Sequence, residues 1–328
     1  MGKRIVIFFT GGTISMVYDP AVGAAVPALS GREILARVPG LEALADLEVV
    51  DFGRFPGPHM TPARMLDLSA RVRAALDRPE VDGAVVTHGT DTLEETAYLL
   101  DLTADGAKPV VFVGAMRNSS EPGWDGPSNL LSAVRVAASE AARGLGVLVV
   151  MNETILAAAE ATKVHTEAFD AFRSPDFGPL GVVDKGAVLV TRAPLRRARL
   201  RSQVAAHPVW LLKMSAGFDP ALLQAGLDAG VRGLVIEGLG RGNVPPDCVD
   251  GIARAIAAQI PVVMVSRCLR GRVYESYGYP GGGKQLRDMG VIFADFLNGP
   301  KARIKLSLVL GVTRDLAQVR ARFEPAGP

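Results

Sequence analysis

The chain has 328 residues, enough for about two domains at roughly 150 residues each. Hydrophobic residues make up 48% of it, so a large core can be buried, yet no stretch approaches the roughly 20 uninterrupted apolar residues of a membrane-spanning helix. Thirty-six basic residues against 34 acidic ones leave a net charge of +2, which argues against a nucleic-acid-binding field spread over the whole surface.

The chain opens with Ile5–Phe9, an apolar run that stops at Thr10-Gly11-Gly12-Thr13. It is too short for a signal peptide and lacks a small-residue cleavage site, so it reads as a first buried strand of a cytoplasmic protein. Arg4–Phe9, Leu47–Phe52, Gly83–Thr87, Pro109–Val113 and Gly146–Met151 are Val/Ile/Phe-rich runs bounded by Gly, Pro or polar residues, as strands buried on both faces are. Helices fall between them. Thr61 before Pro62 predicts an N-cap with proline at the first helical position. Thr92-Leu93-Glu94-Glu95 predicts a capping box, and Ser128 a cap for a helix running toward Ala142. Strands alternating with helices imply an α/β fold with a mostly parallel sheet.

Beyond this the pattern loosens. Ile155–Ala161 and Ala187–Thr191 read as less regular β structure, and Arg192–Arg201 as a basic, exposed linker. Strands resume at Val209–Lys213, Gly233–Glu237 and Val262–Ser266, with helices near Pro220–Ala229 and Pro246–Gln259. The expected organisation is a large N-terminal α/β domain over 1–190, a linker over 191–207 and a smaller C-terminal α/β domain over 208–328. Two cysteines, Cys248 and Cys268, cannot build a disulfide framework and read as small core residues.

Three stretches carry chemistry. Thr10-Gly11-Gly12-Thr13-Ile14 directly follows the first strand, and it is neither a G-x-G-x-x-G nor a P-loop. Taken alone it is a tight turn or a ligand-facing one, and the bracketing threonines favour the second, at the carboxyl end of a parallel strand. His88-Gly89-Thr90-Asp91-Thr92 repeats the arrangement after Ala84–Thr87, with helix capping as the alternative role for Asp91 and Thr92. Lys163 is one of 8 lysines against 28 arginines and follows the nearly apolar Ala157–Ala161. It is a snorkelling surface lysine or, if buried, a general base. Threonine is a poor nucleophile until its proton is taken, so threonine, lysine and aspartate form a coherent set. His88, Asp91 and His165 lack a metal-site signature, and no Gly-x-Ser-x-Gly elbow occurs. His59 and His207 have no ligand-spaced companions, and Trp124 reads as a loop anchor.

These motifs resemble those of the bacterial-type L-asparaginases, especially their cytosolic branch. The resemblance rests on Thr10–Ile14 and Thr87–Thr96, with support from Val113–Arg117, Asp125–Leu130 and Thr162–Thr166, and spans nearly the whole chain. It implies hydrolysis of the side-chain amide of asparagine to aspartate and ammonia, without cofactor or metal, by an intimate homodimer or a pair of such dimers. Thr13 matches the family's acyl-accepting nucleophile, and Thr90, Asp91 and Lys163 its threonine–acid–lysine set. Tyr18 is the only tyrosine in the 15–25 segment, where relatives carry a mobile lid with a catalytic tyrosine. Where relatives place a serine and a polar partner to hold the substrate's backbone, this chain reads Gly57-Pro58-His59. Gly240-Arg241-Gly242-Asn243 resembles the family's asparagine loop, and Glu275, Tyr277 and Tyr279 compete for the remaining position. Two rivals stand beside this reading. One is an amidase on glutamine or on a larger substrate, as in the ammonia-releasing subunit of a transfer-RNA amidotransferase, which carries an extra N-terminal domain. The other is a non-catalytic amino-acid-binding α/β protein.

Overall fold

The computed structural model describes residues 2–194, 198–200 and 202–324, and the chain divides into two compact units, Met1–Arg199 and Leu200–Pro328. The strands of the first unit are β1 (Arg4–Gly11), β2 (Met16–Asp19), β3 (Ala24–Pro27), β4 (Asp46–Phe55), β5 (Gly83–Thr87), β6 (Val110–Val113), β7 (Val147–Met151), β8 (Thr154–Ala157), β9 (Thr162–Lys163), β10 (Phe172–Arg173), β11 (Gly181–Asp184) and β12 (Ala187–Val190). Its helices are α1 (Gly31–Leu35), α2 (Pro62–Leu76), α3 (Leu93–Thr103) and α4 (Gly126–Ala138).

Among the described residues, eight of these strands form one sheet in the order β12-β11-β8-β7-β6-β5-β1-β4. The stretch from β4 to β7 is parallel, and β8, β11 and β12 extend it antiparallel. The apolar runs of β5, β6 and β7 are buried along their whole length, as is β1 from Ile5 onward, which is what coverage of both sheet faces demands. The looser β region after residue 154 is this antiparallel extension, where burial alternates in β11 and the apolar signal thins. Helix α2 buries Met65, Leu68, Val72 and Leu76 on one stripe, and its Thr61 cap accepts the Arg64 N–H.

Two helix starts depart from expectation. Thr92 precedes α3, but its side chain makes no capping bond; it turns to another chain segment, and the capping box does not form. Helix α4 begins at Gly126 after Asp125, not at Ser128, because Pro127 in the first turn needs no N–H partner. It ends at Ala138, and Glu140–Ala142 form a separate short turn.

The second unit is a parallel four-stranded sheet, β13 (Val209–Lys213), β14 (Gly233–Gly238), β15 (Val262–Ser266) and β16 (Ile292–Phe293), in sequence order. Its helices are α5 (Ala221–Asp228), α6 (Val249–Ala257), α7 (Gly283–Met289), α8 (Gly299–Leu310) and α9 (Leu316–Phe323). Leu223, Leu234, Ile236, Ile252, Met264 and Phe293 fill its core together with Cys248. Cys268, read as a core residue, is exposed: it follows β15 in a polar turn where its N–H bonds the Ser266 hydroxyl. Of the basic stretch, Leu195, Arg196, Arg197 and Arg201 lie outside the described residues. Arg192 at its start is held in the first unit, pairing with the Glu160 carboxylate at 2.5 Å and donating to the Pro179 carbonyl at 3.0 Å.

Candidate active site

Sheet order decides which loops meet. β4, β1, β5 and β6 are adjacent and parallel, so the segments that follow them leave from one edge. The chain passes from β1 to β4 on one side and returns to β5 on the other, and such a reversal opens the crevice where open α/β sheets hold ligands. The Thr10 hydroxyl donates to the Thr87 carbonyl at 2.8 Å and ties the tips of β1 and β5 together.

The crevice floor is bare main chain. Gly12 sits at φ 81°, and a Cβ there would lie 2.4 Å from both N and Cα of Gly89. A Cβ at Gly89 would lie 2.6 Å from the Gly57 nitrogen, and one at Gly57 3.2 Å from the Asp91 Cβ. No side chain fits at Gly12 or Gly89, and at Gly57 a methyl group would press on the Asp91 side chain, so the turns after β1 and β5 require glycine. The Thr92 hydroxyl closes the stack by donating to the Gly57 carbonyl at 2.7 Å.

Thr13 begins a short 3-10 turn beside this floor, half-buried, and among the described residues its hydroxyl has no hydrogen-bond partner. Thr90 is buried, while the Asp91 side chain is 61% exposed. Lys163 Nζ reaches both, donating to Thr90 Oγ1 at 2.8 Å and to Asp91 Oδ1 at 2.7 Å. The Lys163 side chain is only 16% exposed. It is neither a snorkelling surface lysine nor an unpaired buried one. It extends from the short antiparallel pair β9–β10, opposite Phe172.

His88 is fully buried against Phe112. Its Nδ1 lies 2.8 Å from the Gly89 carbonyl; a carbonyl only accepts, so Nδ1 carries the proton and Nε2 is a bare, buried acceptor. Burial pushes its pKa down to about 4, against a smaller opposing pull from the Gly89 carbonyl. His165 is exposed, and its Nδ1 accepts the N–H groups of Glu167 and Ala168, both at 3.0 Å, within its own turn.

Pro58 and His59 are exposed on the 3-10 turn Gly57–His59, whose His59 carbonyl accepts from the Arg64 guanidinium. The 15–25 segment, without periodicity in the sequence, is a β-hairpin: β2 pairs antiparallel with β3, with Tyr18 opposite Ala25. Its strands are four residues long and mostly half-exposed, too short for an alternating pattern to register. Tyr18 is 52% exposed, and its N–H donates to the Ser120 hydroxyl at 2.9 Å.

The remaining candidates lie in the second unit. Asn243 is buried in the turn after β14; its Oδ1 accepts the Gly283 N–H at 3.1 Å and so holds the start of α7. Glu275 pairs with Arg287 at 3.0 Å, while Tyr277 and Tyr279 are exposed and stack on each other at 5.5 Å. Trp124 lies over Gly126 at the start of α4 with its indole N–H buried and unpartnered. Sequence reading missed Glu94, whose buried carboxylate accepts the Lys163 N–H at 2.7 Å; the signal it carried was absorbed by the capping-box pattern.

A family model described as the asparaginase N-terminal domain matches residues 4–196, and one described as the glutaminase/asparaginase C-terminal domain matches residues 208–323. The L-asparaginase of Bacillus licheniformis is 36% identical over 310 residues, covering 94% of this chain and 96% of its own. A probable L-asparaginase of Deinococcus radiodurans is 38% identical over 328 residues, covering 98% and 97%. The crystal structure of a probable cytoplasmic L-asparaginase from Campylobacter jejuni superposes with a TM-score of 0.88 at 32% identity, covering 98% of this chain and 99% of that one. With both domain models matched in order and relatives aligned end to end, the chain belongs to the asparaginase family.

Proposed function

We propose that this protein is an L-asparaginase, hydrolysing the side-chain amide of L-asparagine to L-aspartate and ammonia. The observation that carries the reading is Lys163 Nζ, held between the Thr90 hydroxyl and the Asp91 carboxylate beside the glycine-floored crevice. Thr13 Oγ attacks the amide carbon, and the C–N bond breaks as ammonia leaves with the proton Thr13 gave up. Water then attacks the Thr13 ester, releasing aspartate and restoring the hydroxyl. Lys163 and Thr90 relay these protons, and Asp91 keeps the lysine in place. Main-chain N–H groups of the glycine turns are suited to the oxyanion. No cofactor enters this balance.

The exposed Asp91 carboxylate also pairs with the substrate's α-ammonium group. Gly57, Pro58 and His59 take the place of the serine-bearing turn of relatives in holding the substrate's backbone. Tyr18 assists Thr13 from the hairpin. The working unit is a homodimer, alone or paired into a tetramer, in which Asn243 and Glu275 of the partner subunit complete the pocket. The cytoplasm is the proposed compartment, in line with the Campylobacter neighbour, a probable cytoplasmic L-asparaginase. Among the described residues, no helix is long and apolar enough to cross a membrane.

Ammonia release from asparagine and glutamine, measured side by side, tests the assignment: asparagine is expected to be the better substrate. Thr13→Ala, Thr90→Ala and Lys163→Met should each lose several orders of magnitude in kcat while melting close to wild type. Retention of more than about a tenth of kcat would limit that residue's contribution to about 1.4 kcal/mol and end its catalytic assignment.

A further inference from the structure

We infer that Glu94 is a positioning residue for Lys163, gripping the lysine's main chain so that its amine is aimed at Thr90. The inference rests on the proposed role of Lys163. In the β9–β10 pair, Val164 donates its N–H to the Ala171 carbonyl at 2.7 Å, so the neighbouring Lys163 N–H faces away from β10. A two-residue strand supplies no second neighbour for it, and a main-chain N–H without an acceptor is costly. The acceptor is the Glu94 carboxylate, 2.7 Å away and 8% exposed.

The same lysine is held at its other end, where Nζ meets Thr90 Oγ1 and Asp91 Oδ1. Thr90, Asp91 and Glu94 all lie within one strand-to-helix turn, and Glu94 belongs to the first turn of α3, a helix buried almost all round. A single rigid turn therefore holds Lys163 by its backbone and by its amine, and the flexible four-carbon stem between is fixed at both ends. That arrangement turns a mobile side chain into a preorganised proton carrier.

The test separates reach from charge. Glu94→Gln keeps an acceptor oxygen at the same reach, Glu94→Asp keeps the charge but retreats by one methylene, and Glu94→Ala removes both. Lys163 is read directly by the rate at which acetic anhydride labels it, followed by mass spectrometry over a pH series, a readout that needs no turnover. Asparagine hydrolysis is measured in parallel. Glu94→Ala and Glu94→Asp should label Lys163 several-fold faster and lose between about tenfold and a hundredfold in kcat, with KM changed less than about threefold. Glu94→Gln should label at the wild-type rate and keep most of kcat. Wild-type labelling in the alanine variant overturns the inference. If that variant does not fold, wild-type labelling in the aspartate variant overturns it, and so does a glutamine variant as impaired as the alanine one. Failure of wild-type protein to hydrolyse asparagine would instead defeat the functional reading, leaving the labelling result to judge the grip.

Discussion

The Thr92 hydroxyl donates a 2.7 Å hydrogen bond to the Gly57 carbonyl, pinning the turn after β4 to the turn after β5. Both turns border the proposed pocket, so this bond fixes the distance between the Gly57–His59 segment and Asp91.

Thr92→Val keeps the shape and removes the donor. It should cost about 1 kcal/mol in thermal or chemical denaturation. It should also raise KM for asparagine more than it lowers kcat, because the segment it frees is assigned to binding. Unchanged KM with reduced stability would show that the turn plays no part in substrate capture.

His88 sets an acid limit to stability. Its folded pKa, about 4, lies below the ordinary 6.5, because burial penalises the imidazolium. The unfolded chain therefore binds more protons between these values, and stability should fall as pH drops from about 6.5 to about 4, by up to about 3 kcal/mol. Above pH 6.5 the contribution is flat. His88→Asn, which can still donate to Gly89, should show a shallower loss over the same window in urea melts. An equally steep loss would place the acid sensitivity elsewhere.

Lys305 behaves in the opposite pH range. It is buried on α8 with its amine 4.8 Å above the Phe323 ring, and burial, with Arg322 adding repulsion, brings its pKa down to about 8. Below pH 8 the fold carries the cost of the buried ammonium; the cost disappears as pH rises toward 10.5. Lys305→Met should raise stability at pH 7 by about 1–2 kcal/mol, the cation–π contact offsetting part of the gain, and the difference should shrink by pH 10.

Subunit complementation tests the shared pocket. Thr13→Ala disables the first unit's set, and Asn243→Asp keeps the oxygen that holds Gly283 while removing the amide donor. If sites are shared, mixed dimers of two inactive parents contain one doubly defective and one intact site, and activity should return after verified subunit exchange. If each chain builds its own site, every site carries a defect and mixing restores nothing.

The parallel strands were legible because burial on both faces writes an unbroken apolar run, as in Val110–Val113 and Val147–Met151. Thr13, Thr90 and Asp91 could be placed at one sheet edge because they directly follow such runs. Lys163 stood out by its scarcity and by following a nearly apolar run, while its 73-residue separation from Thr90 leaves no periodic trace. The roles of Thr92 and Glu94 were hidden for a different reason. Both fit the local grammar of a helix start, and only the tertiary arrangement diverts them, one to Gly57 and the other to Lys163. The hairpin at 16–27 was silent because its residues face neither a core nor water consistently.

The abutting glycines at 12, 57 and 89 divide the pocket for anyone wishing to redesign it. At Gly12 and Gly89 main-chain atoms already fill the volume a methyl group would need, so a mutant library that varies these two positions spends its members on misfolded protein. Under the proposed function, selectivity is to be sought at Pro58 and His59, which are exposed on the short Gly57–His59 turn and can be exchanged without moving a strand. A search for altered amide preference belongs at those two residues first.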